Sequence, residues 1–190
     1  SEAGQVKAMR SAYRQSGLLP SDISLVECHA TGTPVGDAVE LRSLREVFGR
    51  PAGEALAIGS LKSNLGHLTT AAGVAGLLKV LGALEHGVLP PMRHTEAPLP
   101  ELGDSRFRLL NRPEPWSSDK PRRAAISAFG FGGNNAHLLV EEFVPEAAPA
   151  GSERSAVAMA APASREPLAI IGLAAQVGSG QGLADFARAL

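Results

Sequence analysis

The chain has 190 residues, 18 lysines and arginines against 19 aspartates and glutamates, and a formal net charge of −1. That length holds one ordinary domain, or one domain and part of another, and the balanced charge gives no electrostatic footprint for nucleic acid. The single cysteine excludes an internal disulfide framework and a multi-cysteine zinc site.

Val6, Met9 and Tyr13 recur at helical spacing within residues 5–16, and Gly17 reads as the stop. Pro20-Ser21-Asp22 is a turn, and residues 25–28 form a short apolar strand. A Thr- and Gly-rich loop over 29–36 leads to Asp37, which the spacing makes an N-cap with Glu40 at capping-box distance. Leu41, Leu44 and Phe48 continue as a helical stripe that Gly49 ends. Residues 56–59 are a second strand, 60–66 a second polar loop, and 67–85 a buried helix rich in Ala and Gly. That apolar run contains His67 and Lys79 and falls short of the ~20 apolar residues of a bilayer span, so no membrane span is expected. Prolines punctuate 87–121 and predict extended, turning chain. Residues 124–128 and 136–142 read as strands around a Gly-rich turn. Strand, loop and helix thus occur twice in order, an α/β pattern, and both polar loops follow the C-terminal end of a strand, where such sheets place ligand chemistry. No signal-peptide pattern opens the sequence, and a cytoplasmic setting is expected.

Three segments carry groups suited to chemistry. In the first, His29 stands at a strand end, followed by Thr31 and Thr33, whose hydroxyls flank a glycine that lets backbone approach a ligand. In the second, Lys62-Ser63-Asn64-Leu65-Gly66-His67, the histidine is expected at a helix start, where the dipole favours neutral imidazole. Two neutral imidazoles can donate N–H bonds to an oxygen that gains negative charge during reaction. The third is the Phe129-Gly130-Phe131-Gly132-Gly133 turn, whose backbone amides can serve the same end. Other candidates have plainer readings. Cys28 and His29 are neighbours on a strand and point to opposite faces, so Cys28 reads as a small buried residue rather than a nucleophile. His86 and His94 read as surface residues and His137 as structural. No acidic or thiolate partners stand at metal-ligand spacing beside the histidines, so no metal is expected. Residues 130–133 lack the pattern of a phosphate loop, and 120–123 read as a solvated basic loop.

Together, His29-Ala30-Thr31-Gly32-Thr33, Gly36-Asp37 with Glu40, the 62–67 segment, and Phe129 through Asn134-Asn135-Ala136-His137 resemble a β-ketoacyl synthase. Their order and spacing match the C-terminal half of the ketosynthase domain of polyketide synthases and related multidomain fatty acid synthases, over roughly residues 1–143. The resemblance implies a thiolase-like α/β fold, of which this is the C-terminal half. It implies decarboxylative Claisen condensation of an acyl thioester with a malonyl-type extender, in polyketide or fatty acid biosynthesis. By resemblance, His29 and His67 are the histidines of a Cys-His-His set, and Lys62 is the lysine beside them. Asp37 and Glu40 are the acidic pair that holds this lysine. Thr31 and Thr33 bond the phosphopantetheine arm. Phe131 is the gate, and its N–H belongs to the oxyanion hole. The arm arrives on an acyl carrier protein, the chain itself binds no cofactor, and the family's dimers imply a homodimer.

Ala30 stands where the family usually has Gly, Asn134 where it has Thr, and Cys28 where Ala is common. No Asp-Thr-Ala-Cys-Ser-Ser segment occurs. The nucleophilic cysteine is therefore expected on an N-terminal half outside this sequence, and residues 1–190 alone are expected neither to acylate nor to condense. A non-catalytic scaffold resembling a chain-length factor is the alternative. Residues 1–144 are assigned to the ketosynthase part, 145–165 to an Ala/Pro-rich linker, and 166–190 to the start of a following ketosynthase- or chain-length-factor-like domain. A linker into an acyltransferase domain is the rival for that last segment.

Overall fold

Every residue of the strand Leu25–Glu27 is buried, as is every residue of Leu56–Gly59, the signature of strands covered on both faces. In the computed structural model these two, β1 and β2, lie side by side in a five-stranded sheet. The structure describes residues 1–49, 55–103, 105–144, 176–177, 180–181, 184 and 187–188. In chain order the remaining elements begin with helices α1 (Glu2–Ser16), α2 (Pro34–Phe48), α3 (Lys62–Leu65) and α4 (Ala72–His86). The strands are β3 (Val88–Leu89), β4 (Phe107–Leu109), β5 (Glu114–Pro115), β6 (Arg123–Phe129) and β7 (Asn135–Glu141). The sheet order is β4-β2-β1-β6-β7; the first four strands run parallel and β7 pairs antiparallel with β6 at the edge. β3 and β5 form a separate antiparallel pair.

Strand alternation sorts the side chains into two layers. Val26, Cys28, Leu56, Ile58 and Ala125 face α1 and α2, where Val6, Met9, Tyr13, Leu44 and Phe48 complete one core. Leu25, Ala57, Ala124 and Ile126 face α4, where Val80, Ala83, Leu84 and Trp116 complete the other. Met9 and Leu44 are fully buried, each worth about 1.5–3 kcal/mol by area removed from water. Trp116 is seated by its indole N–H, which donates to Ser24 Oγ at 2.9 Å.

Three expectations need correction. α2 begins at Pro34, with Thr33 as N-cap, so Asp37 is not the cap; proline at the first helical position starts the helix four residues earlier. The second polar loop contains the short helix α3, and α4 begins at Ala72 rather than His67. Finally, α4 is not buried all round: Val74, Leu78 and Leu81, at i, i+4 and i+7, form an exposed apolar stripe opposite the core face. Within the proline-rich region, read from sequence as extended, turning chain, Phe107–Leu109 is extended and pairs with β2 as β4.

Residues 143–189 form a separate unit, in which Gln176–Val177 and Gly180–Gln181 make a two-stranded antiparallel pair. The expected linker at 145–165 and the expected strand at 168–172 lie outside the described residues; within the expected helix at 183–190, positions 184, 187 and 188 are helical. No helix among the described residues is long and apolar enough to cross a membrane.

Candidate active site

The C-terminal ends of the central strands carry the site. β1 runs out at Glu27, and the chain turns through His29 to Thr33 before α2. Two carboxylates from α2 hold that turn by its backbone. Glu40 accepts from His29 N–H at 2.8 Å and Ala30 N–H at 2.7 Å. Asp37 accepts from the N–H groups of Thr31 and Gly32, both at 3.1 Å. Gly32 has φ 78°, a left-handed value that favours glycine, and so presents its N–H to Asp37. Burial, the strongest influence, pushes Glu40 up to about 7, while the two N–H bonds hold it down.

The family pattern gives these carboxylates to Lys62. In the structure their oxygens accept from the loop N–H groups, and their charges act on Lys62 without a direct hydrogen bond from its ammonium among the described residues. Burial lowers the Lys62 pKa, and the fields of Glu27 and Glu40 oppose that shift.

β2 ends at Gly59, and the next loop delivers Lys62 and His67. The His29 and His67 rings meet edge to face, with centroids 5.8 Å apart and planes at 83°. Burial first, then the nearby Lys62 and His67, lowers His29 to about 4, so its ring is neutral at physiological pH. His67 does not sit at the start of α4. Its Nδ1 accepts the Thr69 N–H at 2.9 Å. A backbone N–H can only donate, so Nδ1 carries no proton and the neutral ring has its hydrogen on Nε2. Thr69 takes φ 49°, and this left-handed turn belongs to the same tight segment.

A titration of the histidine ring signals by NMR checks these environments. His29 is expected to titrate near pH 4, as is His137, which burial also lowers to about 4. Each pKa is depressed below the unfolded value of about 6.5. The stability each contributes is therefore fully present above that pH and is lost as pH falls through 4. Midpoints above 6 for His29 would contradict the buried environment.

Thr31 and Thr33 lie on the rim, with their hydroxyl oxygens 3.2 Å apart. Both line a cavity of about 400 Å³ together with Lys62, Ser63, Arg93 and Leu99. The loop after β6 brings a different aromatic from the one expected. The Phe131 ring is 99% exposed at the tip of the turn, whereas Phe129, the last residue of β6, stands 5.9 Å from the His29 ring. The sequence reads Phe129 as the first residue of the Gly-rich turn; in the structure it ends β6, and the parallel pairing of β6 with β1 brings that strand end to the site.

The remaining candidates separate from the centre. Cys28 is buried on the α1–α2 side, and burial, with Glu40 and Glu27 nearby, raises its thiol pKa well above the usual value, so it is an inert protonated thiol. His137 bonds Ser127 Oγ at 3.1 Å and approaches the Tyr13 hydroxyl at 3.5 Å, a structural chain under β7. His86 is exposed and bonds the Gly82 carbonyl at 3.0 Å. No group of three or more His, Cys, Asp or Glu side chains among the described residues is placed to hold a metal ion.

Comparison with known proteins places this geometry in a family. The profile for the beta-ketoacyl synthase C-terminal domain matches residues 1–96, and that for the ketoacyl-synthetase C-terminal extension matches 96–188. A highly reducing polyketide synthase of Aspergillus terreus is 45% identical over 145 residues, covering 74% of this chain and 6% of the relative. The polyketide synthase GfsA of Streptomyces halstedii is 45% identical over 157 residues, 80% of this chain and 2% of the relative. Among solved structures, the ketosynthase from module 6 of the Bacillus subtilis bacillaene synthase superposes with a TM-score of 0.72 at 40% identity, over 76% of this chain and 27% of that one. The chain belongs to the β-ketoacyl synthase family, matching its C-terminal domain, and its fold is the thiolase-like α/β fold of ketosynthases. It spans only a small part of such relatives, 2% of GfsA and 22% of a hybrid PKS-NRPS synthetase of Aspergillus terreus.

Proposed function

We propose that this chain supplies the decarboxylation half-site of a condensing enzyme of polyketide biosynthesis. The observation that carries the reading is the His29–His67 pair: two rings in edge-to-face contact at 5.8 Å, one held neutral by burial and the other with its free hydrogen on Nε2. A malonyl thioester whose carbonyl oxygen lies between them accepts both N–H bonds. As the bond from Cα to the carboxylate breaks, CO₂ leaves and the electron pair moves into the enolate, whose oxygen the imidazoles stabilise. The enolate carbon then attacks an acyl thioester on a cysteine of the domain's other half, and the thiolate leaves. Lys62, whose charge is felt at His29, adds positive field where the substrate is anionic.

The extender arrives on the phosphopantetheine arm of an acyl carrier protein, and Thr31 and Thr33 on the cavity rim are suited to bond that arm. The exposed stripe of Val74, Leu78 and Leu81 supports a covering partner, which we assign to the N-terminal half of the same domain. A homodimer, a cytoplasmic location, and the division into 1–144, 145–165 and 166–190 belong to the same proposal. The small share of each relative that the chain spans supports its working within a longer polypeptide.

The reading is tested in the full-length protein by loading an acyl group and following CO₂ release from malonyl-carrier. Release that depends on this chain's histidines supports it; a loaded protein that releases none defeats it. We assign Phe131 as the gate of this site. Because its ring is in solvent, Phe131→Ala is expected to change stability by less than about 0.5 kcal/mol, yet to slow loading or condensation in a chain-length-dependent way. Wild-type rates at every acyl length would remove that role.

A further inference from the structure

Glu27 is the last residue of β1, two positions before His29, and only 3% exposed. Strand alternation turns it toward α4, away from Cys28. Its Oε2 receives the Lys79 ammonium of α4 at 2.7 Å, with both side chains 4% exposed. Its Oε1 accepts the Leu61 N–H at 2.6 Å, at the entry to α3. These two helices flank His67 in the chain, α3 ending at Leu65 and α4 starting at Ala72. One carboxylate on the strand that delivers His29 therefore grips both sides of the segment that delivers His67. Gly76 gives it room, since a Cβ there would lie 3.1 Å from Glu27 Cγ. Two neutral bonds accompany the grip, from Cys28 N–H to the Gly59 carbonyl at 2.7 Å and from Ser60 Oγ to the Ala30 carbonyl at 3.1 Å.

We propose that Glu27 is a positioning residue of the condensing site, fixing the separation of His29 and His67 through its bonds to Leu61 and Lys79. The inference rests on the decarboxylation reading given above. A buried ion pair alone does not establish it, because such pairs are often replaceable by apolar residues without loss of stability. What distinguishes Glu27 is the second oxygen on a backbone N–H at the root of the catalytic loop.

The test uses two double variants of the full-length protein that both remove the charges. Glu27→Gln with Lys79→Met keeps an oxygen for the Leu61 N–H; Glu27→Leu with Lys79→Met keeps only volume. The Leu pair is expected to lose about 10- to 100-fold in kcat for malonyl-carrier decarboxylation, with KM and cysteine loading unchanged. The Gln pair is expected to recover most of that loss. Equal kcat for the wild type and both folded pairs overturns the proposal. Should the Leu pair fail to fold, Leu61→Pro and Leu61→Ala replace it. Leu61 has φ −59°, which suits proline, so the first deletes the N–H and the second only the side chain. A lower kcat for Leu61→Pro than for Leu61→Ala supports the proposal, and equal values overturn it. His67→Ala is measured alongside. If it releases CO₂ as the wild type does, the decarboxylation reading falls and this inference with it; if it is dead while the Glu27 and Leu61 variants are normal, this inference alone falls.

Discussion

His67→Ala in the full-length protein is expected to cut CO₂ release from malonyl-carrier by about 10²- to 10³-fold, the usual cost of removing one oxyanion donor, while acyl transfer onto the cysteine persists. The split follows from where the ring sits. His67 is exposed in a loop and belongs to neither hydrophobic layer, so its loss leaves both intact. The Thr69 N–H that bonds Nδ1 is itself exposed and turns to water. Stability should therefore move by less than about 0.5 kcal/mol. What disappears is an Nε2 donor whose tautomer the Thr69 bond had set, on a ring whose centroid lies 5.8 Å from that of His29. Malonyl decarboxylation needs both donors on one oxygen, whereas thioester exchange on the cysteine of the other half does not develop that enolate. Denaturant unfolding, single-turnover loading and CO₂ release on the same preparation read the three effects separately. Unchanged CO₂ release would remove His67 from the chemistry.

The parts of the site that sequence spacing reveals are those fixed by the chain's own course. His29, Thr31 and Thr33 are read as a strand-end loop because apolar residues 25–28 precede them, and the structure ends β1 within one residue of that. The meeting of His29 with His67 depends on the parallel pairing of β1 with β2, which two matching strand–loop segments suggest but do not specify. What pattern missed is mostly side chain to backbone. Asp37 and Glu40 look like a capping box, since a carboxylate three residues after an N-cap is its sequence signature. Proline at 34 starts the helix early, and the same spacing then aims both carboxylates back at the N–H groups of the loop. Glu27 and Lys79, far apart in sequence, gave no signal, because a charge within an apolar run is ordinarily counted against burial. Phe131 drew attention as the central residue of a Gly-rich motif, while Phe129, fixed by seven residues of antiparallel register with β7, is the one that reaches His29.

Glu40→Ala is expected to do the reverse of His67→Ala, damaging fold and catalysis together. The carboxylate is 4% exposed and is the acceptor for the N–H groups of both His29 and Ala30. Removing it strands two donors in a half-buried turn, at about 1–3 kcal/mol for each that finds no water. Partial hydration of a turn that already opens to solvent makes a net loss of about 2 kcal/mol the expected figure. The His29 backbone then loses its anchor, and a displacement on the order of 1 Å is enough to cost about 10²-fold in decarboxylation. The pH dependence identifies the group. Glu40 is raised from 4.5 to about 7, chiefly by burial, so between those values the folded state holds the proton more tightly than the unfolded state does. The contribution of this group to stability is fully present below 4.5 and is lost as pH rises through 7. The wild type should show that decline in denaturant unfolding between about pH 4.5 and 7, and Glu40→Ala should lack it, so the gap between them is widest at acid pH. Parallel curves for the two proteins would mean that Glu40 titrates as an ordinary surface carboxylate, and the loop anchor would have to be sought in Asp37.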